Sequence, residues 1–199
     1  MPAAQNVEIR MCMTEGDSDE ALMAAVAVRD QRALRVLMGR HMQRAIRMAE
    51  RVTRNAADAD EIGQEAFIRV WTHAPSYDPK IARFTTWLYR IIINLAVDRN
   101  RRPTNSPIET VAGVSSNDPD PVQIVIAQEE QQLIADALAA LSERQRAAIA
   151  LFHMEGVSGR EAASVMNVSE KAFESLLTRA RFTLRQAVEK IQQERRRRT

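Results

Sequence analysis

Apolar residues recur three and four positions apart along most of this chain, the spacing that builds one face of an α-helix. In ALRVLMGRHMQRAIRMAERV the repeat runs through Leu34, Leu37 or Met38, Met42, Ile46, and Ala49 or Val52. The next stretch, NAADADEIGQEAFIRVWTHA, begins with Asn55, a good N-cap, and carries Asp58, Asp60 and Glu61 in its first turns, where the helix dipole favours acid. Ile62, Phe67, Val70 and Trp71 fall near its inner face, and Pro75 and Pro79 end it. A further helix spans TWLYRIIINLAVDRNRR. Its face Leu88, Ile91, Ile92 and Leu95 is apolar, whereas Trp87, Arg90, Asn94, Asp98 and Arg101 share another.

The C-terminal part shows the same period with stronger start signals. Ser142 to Gln145 and Ser158 to Glu161 both fit the capping box, so two helices begin there. The first carries Ala147, Ile149, Leu151 and Phe152, and the second, GREAASVM, has only two turns. A turn at Asn167-Val-Ser169 follows, with Ser169 as cap of a last helix that runs toward the tail. A short helix, a tight turn and a long helix outline a helix-turn-helix. Along the last helix Phe173, Leu177, Ala180, Leu184 and Ile191 form an apolar stripe. Glu174, Thr178, Arg181 and Arg185 lie opposite it, with Lys171, Ser175 and Arg179 beside them.

Between the blocks lies RRPTNSPIETVAGVSSNDPDPVQ, with four prolines and no sustained apolar period. Proline lacks the amide donor and restricts its predecessor, and the stretch is long for a loop inside a compact domain. The pattern therefore predicts an all-α protein of two small helical domains joined by a flexible linker. The expected boundaries are a flexible N-terminus over 1–18, a first domain over 19–102, a linker over 103–123 and a second domain over 124–199.

Composition narrows the class. The chain has 199 residues, 45% hydrophobic, with scarce Gly and Pro, which suits helices. No apolar run approaches the roughly 20 residues of a bilayer span, and the N-terminus lacks the basic-then-apolar order of a signal peptide. Cys12 is the single cysteine, so no internal disulfide can form. These features point to a reduced, cytoplasmic protein. His41, His73 and His153 are scattered and no Cys or His cluster has metal spacing, so neither metal nor cofactor is expected. With no phosphate-binding glycine loop and no nucleophile constellation, an enzyme is not expected either.

The net charge is only +2, but the pI is about 9.0 and the basic residues are clustered. RNRR closes the first block and Arg195–Arg198 the chain. The tail fits a polyanion contact and a solvated helix end about equally. The helix-turn-helix would present the N-terminal half of its last helix to the major groove, where side chains reach base edges and phosphates. Trp87 alone reads as a core aromatic. Beside Asn94 and the arginines it belongs to a face suited to single-stranded nucleic acid, where rings meet bases and amides read their edges.

DADEIGQEAFIRVW, TTWLYRIIINLAVDRNRR and LSERQRAAIALFHMEGVSGREAASVMNVSEKAFESLLTRARFTLR occur in this order around the linker. The ordered set resembles an extracytoplasmic-function (group IV) sigma factor of the sigma-70 family, with only regions 2 and 4. The resemblance implies binding to core RNA polymerase, through its beta-prime clamp helices and beta flap, and to promoter DNA. Asp58, Asp60, Glu61, Gln64 and Glu65 would meet arginines of the clamp helices. Trp87, Arg90, Asn94, Arg99, Arg101 and Arg102 would read and melt the −10 element. Lys171, Glu174, Ser175, Thr178, Arg179 and Arg181 would meet the −35 element. The family is commonly held inactive by an anti-sigma factor. Two departures stand out: Glu174 occupies a position often basic, and Gly159 one often aromatic. The competing readings are a helix-turn-helix repressor acting on duplex DNA alone, and a sigma-like decoy for an anti-sigma factor. The acidic DADEIGQE surface argues against the first and the arginines on both DNA-facing helices against the second.

Overall fold

The computed structural model describes residues 16–100 and 133–198, which fall in two compact units, one for each segment. Everything regular among these residues is helical. The expected linker over 103–123, most of the N-terminal segment with Cys12, and Arg101 and Arg102 lie outside the described residues.

The first unit holds α1 (Asp19–Ala27), α2 (Gln31–Thr53), α3 (Ala56–His73) and α4 (Phe84–Asn100). Local chemistry marks each start. Ser18 Oγ accepts from the Ala21 amide, Asp30 from Arg32 and Ala33, and Asn55 Oδ1 from Asp58 at 3.1 Å. These bonds satisfy amides that the first helical turn leaves without partners. Arg29 and Arg54, both left-handed at φ 70° and 61°, turn the chain after α1 and α2. Pro75 sits in a 3-10 turn, Ala74–Ser76, that ends α3 as expected.

Leu22, Leu37, Met48, Val52, Phe67, Val70, Phe84, Leu88 and Ile92 form the centre of this unit. The buried side of α2 follows Ala33, Leu37, His41, Ala45 and Met48. Of the expected repeat, Leu37, Ala49 and Val52 are buried, whereas Leu34, Met38, Met42 and Ile46 are half-buried. Pairing admits the imidazole to this core: His41 Nε2 lies 2.7 Å from Asp19 Oδ2, and its ring packs edge-on against Phe84. On α4, Leu88 and Ile92 are buried as expected, but Ile91 and Leu95 are half-buried while Tyr89 and Ile93 are covered. The covered arc is wide because α4 packs on α1, α2 and α3 together.

In the second unit residues 133–139 form α5, followed by α6 (Glu143–Ile149), α7 (Gly159–Val165) and α8 (Glu170–Arg198). Both capping boxes are complete, at Ser142 with Gln145 and at Ser158 with Glu161. Helix α6 does not continue regularly to Phe152; it widens into a π turn over Ala150–Met154. The extra residue keeps Leu151 fully buried while leaving Phe152 and Met154 at the surface. Gly156, at φ 64°, then reverses the chain. A Cβ on Gly159 would meet nothing within 4 Å, so the start of α7 has open space where a side chain would stand.

Candidate polymerase and nucleic-acid interfaces

The acidic start of α3 is divided between exposed and engaged groups. Asp60 and Gln64 are exposed. Glu65 pairs with Arg69 one turn on, at 3.1 Å. Asp58 and Glu61 are both bound by one guanidinium, that of Arg99 near the end of α4. Arg99 Nε donates to Asp58 Oδ1 at 2.7 Å, and Nη2 pairs with Glu61. Burial opposes the Arg99 charge, but the bond to Glu61 and the field of Asp58 outweigh it and hold its pKa above the ordinary arginine value. Two expected sets, the acids at polymerase and the arginine at DNA, thus meet in one cluster.

Beside these acids runs an apolar groove between α2 and α3. Leu34, Met38 and Met42 form one wall, and Phe67, Ile68 and Trp71 the other. Gln64 lines it too, so the groove and the acidic stretch share a border. Ile68 is 59% exposed, although it shares the groove with five other apolar residues. Arg29 is held against Trp71, with its guanidinium 5.1 Å from the ring centroid and Nη1 donating to the Trp71 carbonyl at 2.9 Å. The helical period placed Leu34, Met38 and Met42 on one apolar stripe, but periodicity cannot tell a covered stripe from a groove wall.

On α4 the expected face is assembled. Arg90, Asn94 and Asp98 are exposed on successive turns, and Trp87 is half-buried. The Trp87 ring leans on Tyr77, with centroids 5.4 Å apart, and on Phe84 at 6.4 Å. Trp87 is therefore both things the sequence allowed: part of an aromatic cluster, and an edge of the polar face. Arg44 of α2 reaches the same helix, 5.5 Å above the Tyr89 ring. Tyr77 is itself anchored, its hydroxyl donating to the Ala82 carbonyl at 3.1 Å. Desolvation first, then the charges of Glu20, Asp19 and Asp78, push its pKa up to about 12. Nothing local in the sequence linked Tyr77 to Trp87.

In the second unit, α7, the turn and α8 form the expected helix-turn-helix. Asn167 takes the left-handed conformation at φ 53°, which its short polar side chain tolerates, and Ser169 Oγ accepts from the Ala172 amide. Phe173, Leu177 and Ala180 are buried, so α8 turns Lys171, Glu174, Ser175, Thr178, Arg179 and Arg181 to solvent. Arg179 Nε donates to the Ser175 carbonyl. Arg181 is held from the π turn: its Nε donates to His153 Nε2 at 3.1 Å, and its guanidinium lies 5.4 Å from the Phe152 centroid. The basic end of α8, Arg195–Arg197, is exposed. Among the described residues no group of three or more His, Cys, Asp or Glu could hold a metal, and no helix is long and apolar enough to cross a membrane.

Comparison with known proteins bears on both units. The Sigma-70 region 2 family matches residues 37–105, and the Sigma-70, region 4 family matches residues 131–184. The chain is 32% identical over 182 residues to the RNA polymerase sigma factor CnrH of Cupriavidus metallidurans, covering 86% of this chain and 95% of that one. It is 28% identical over 190 residues to the ECF RNA polymerase sigma-E factor of Escherichia coli, covering 90% and 98%. Among solved structures, that of CnrH in complex with the cytosolic domain of CnrY matches with a TM-score of 0.64 and 29% identity over 87% of this chain and 98% of that one. The sigma factor RpoE of Bartonella quintana, solved with the anti-sigma factor NepR, shares the fold at a TM-score of 0.62 and 21% identity, over 76% and 94%. Two helical units carrying regions 2 and 4 in order, and relatives matched over nearly their whole length, place this chain in the extracytoplasmic-function group of the sigma-70 family, non-catalytic factors of transcription initiation.

Proposed function

We propose that this chain binds core RNA polymerase through the start of α3 and the bordering groove, and delivers it to promoters by reading two elements with its two units. Asp60, Glu61, Gln64 and Glu65, with Asp58 behind them, are the acceptors for arginines of the beta-prime clamp helices. The groove of Leu34, Met38, Met42, Phe67, Ile68 and Trp71 supplies the apolar contact that charge alone lacks. The observation that carries the reading is this adjacency of exposed acid and open apolar surface on the first unit. A repressor acting alone on duplex DNA has no use for such a surface.

The −10 element meets α4, with Trp87 at the upstream edge of the opened strand, Asn94 beside a flipped base, and Arg90, Arg99, Arg101 and Arg102 on the backbone. The −35 element meets α8 through Lys171, Glu174, Ser175, Thr178, Arg179 and Arg181. The unit spanning 19–102 acts as region 2 and that spanning 124–199 as region 4, the latter also meeting the beta flap. The polymerase-binding surfaces are what an anti-sigma factor would cover; the Bartonella protein was itself solved with the anti-sigma factor NepR. The protein works in the cytoplasm, where its polymerase is. Reconstitution tests the whole. The purified chain, core polymerase and a genomic fragment library should give transcripts whose 5′ ends depend on the chain and share a spaced two-part motif. Duplex binding without dependent transcripts would support a repressor, and binding to neither polymerase nor DNA a decoy.

A further inference from the structure

Arg99 stands where two expected functions collide. It lies in the basic run that leads off α4, 41 positions from Asp58. Yet it spends its donors inside the chain, on Asp58 and Glu61. The side chain of Asp58 is 16% exposed, that of Arg99 32% and that of Glu61 62%. Asp58 is thus largely covered, while Glu61 is held at an open edge. A guanidinium offers five donors in one plane and can answer two carboxylates at once. It is also the group that an arginine on a docking partner would bring to the same acids.

We infer that Arg99 is an internal stand-in for the partner's arginine. In the free chain it occupies Asp58 and Glu61, so the docking acids and one DNA-facing cation silence each other. When polymerase brings its own cation to Glu61, Arg99 is released toward a phosphate of the opened strand. Each event lowers the obstacle to the other, because by linkage polymerase binding and DNA binding must favour each other by the same factor. The exchange is feasible at this edge because Glu61 and Arg99 are partly solvated, so neither charge is stranded during it. The inference rests on the docking surface proposed above.

The test uses the full chain carrying Arg99→Met, which keeps the apolar stem and removes the donors. Its affinity for core polymerase is measured by titration of a labelled chain, and the salt dependence of promoter binding by the resulting holoenzyme is measured beside it. The stand-in predicts core binding tighter by about 5-fold or more and a salt slope smaller by about 1. Core binding that is unchanged or weaker overturns the inference and leaves Arg99 a structural staple. If Arg99→Met does not fold, Arg99→Lys serves. Its point charge cannot bridge both carboxylates, so tighter core binding supports the exchange and unchanged binding overturns it. Glu61→Gln in the otherwise native chain separates the two readings. If it weakens core binding while Arg99→Met does not strengthen it, docking stands and the stand-in falls. If Glu61→Gln changes nothing, the docking surface itself is wrong.

Discussion

A Cβ placed on Gly63 of α3 would lie 2.7 Å from Cγ1 of Ile46 on α2. That atom is close to the α2 backbone and cannot swing away, so the two helices cross at a spacing only glycine permits. Gly63→Ala should destabilise the first unit by about 1 kcal/mol, an overpacking cost of roughly 1–3 kcal/mol partly offset by the better helix propensity of alanine, about 1 kcal/mol. Thermal unfolding should show a midpoint lower by about 4–8 °C. An equal or higher midpoint would mean that the helices separate freely there.

The acidic surface can be tested away from the Arg99 cluster. Asp60 is exposed, and it makes no ion pair with another described residue. Asp60→Arg should weaken core polymerase binding at least tenfold, about 1.4 kcal/mol, with helical content unchanged. Glu61→Arg, inside the Arg99 cluster, should also weaken binding. Undiminished affinity in both would remove this surface from the docking site.

Asn94 faces solvent on the polar side of α4, one turn beyond Arg90. Flipping a base costs a few kcal/mol of stacking that a receiving pocket must offset. Asn94→Ala should therefore reduce open-complex formation by about tenfold while leaving closed-complex affinity near that of the native protein. Permanganate reactivity of unpaired thymines would report the first and gel mobility the second. Equal loss in both would assign Asn94 to backbone binding.

Glu174 is exposed on the solvent side of α8, whereas Phe173 and Leu177 are buried. A carboxylate repels phosphate but accepts from a cytosine amine. Glu174→Arg should change which −35 sequences are selected from a randomised pool, moving preference toward guanine at one position. An identical selection profile would make Glu174 a bystander.

Tyr77 gives an alkaline signature. Its hydroxyl is harder to ionise in the fold, at about 12 against an ordinary 10.0, through burial and then the neighbouring carboxylates. The unfolded chain thus loses this proton first. The stability so contributed is present below about pH 10 and is lost as pH rises toward 12. Unfolding midpoints across that range should fall faster for the native chain than for Tyr77→Phe. Parallel curves would show that the hydroxyl is not sheltered.

Local signals carried far in this chain. Asn55, Ser142, Ser158 and Ser169 each cap the helix they announced, because a cap is settled within four residues. The stripes of α8 were readable for a similar reason: one face packs on a small unit and the other does not, so Phe173, Leu177 and Ala180 fall opposite Glu174, Thr178 and Arg181. The polar face of α4 followed likewise from spacing, and the order of motifs identified the family.

By itself, then, the sequence determined the helices, their caps and the chemistry each face offers, since these depend on neighbours one turn away. Tertiary structure alone decided which offered groups are spent within the chain. Arg99 looked like a DNA contact and is bound to Asp58 and Glu61. Arg181 is held by His153, 28 positions earlier. Leu34 and Met42 carry the core period yet wall an open groove, because the packing of α3 leaves that side uncovered. Periodicity reports a side chain's direction along its own helix. Whether another helix meets it depends on contacts between residues tens of positions apart, and no local pattern records those.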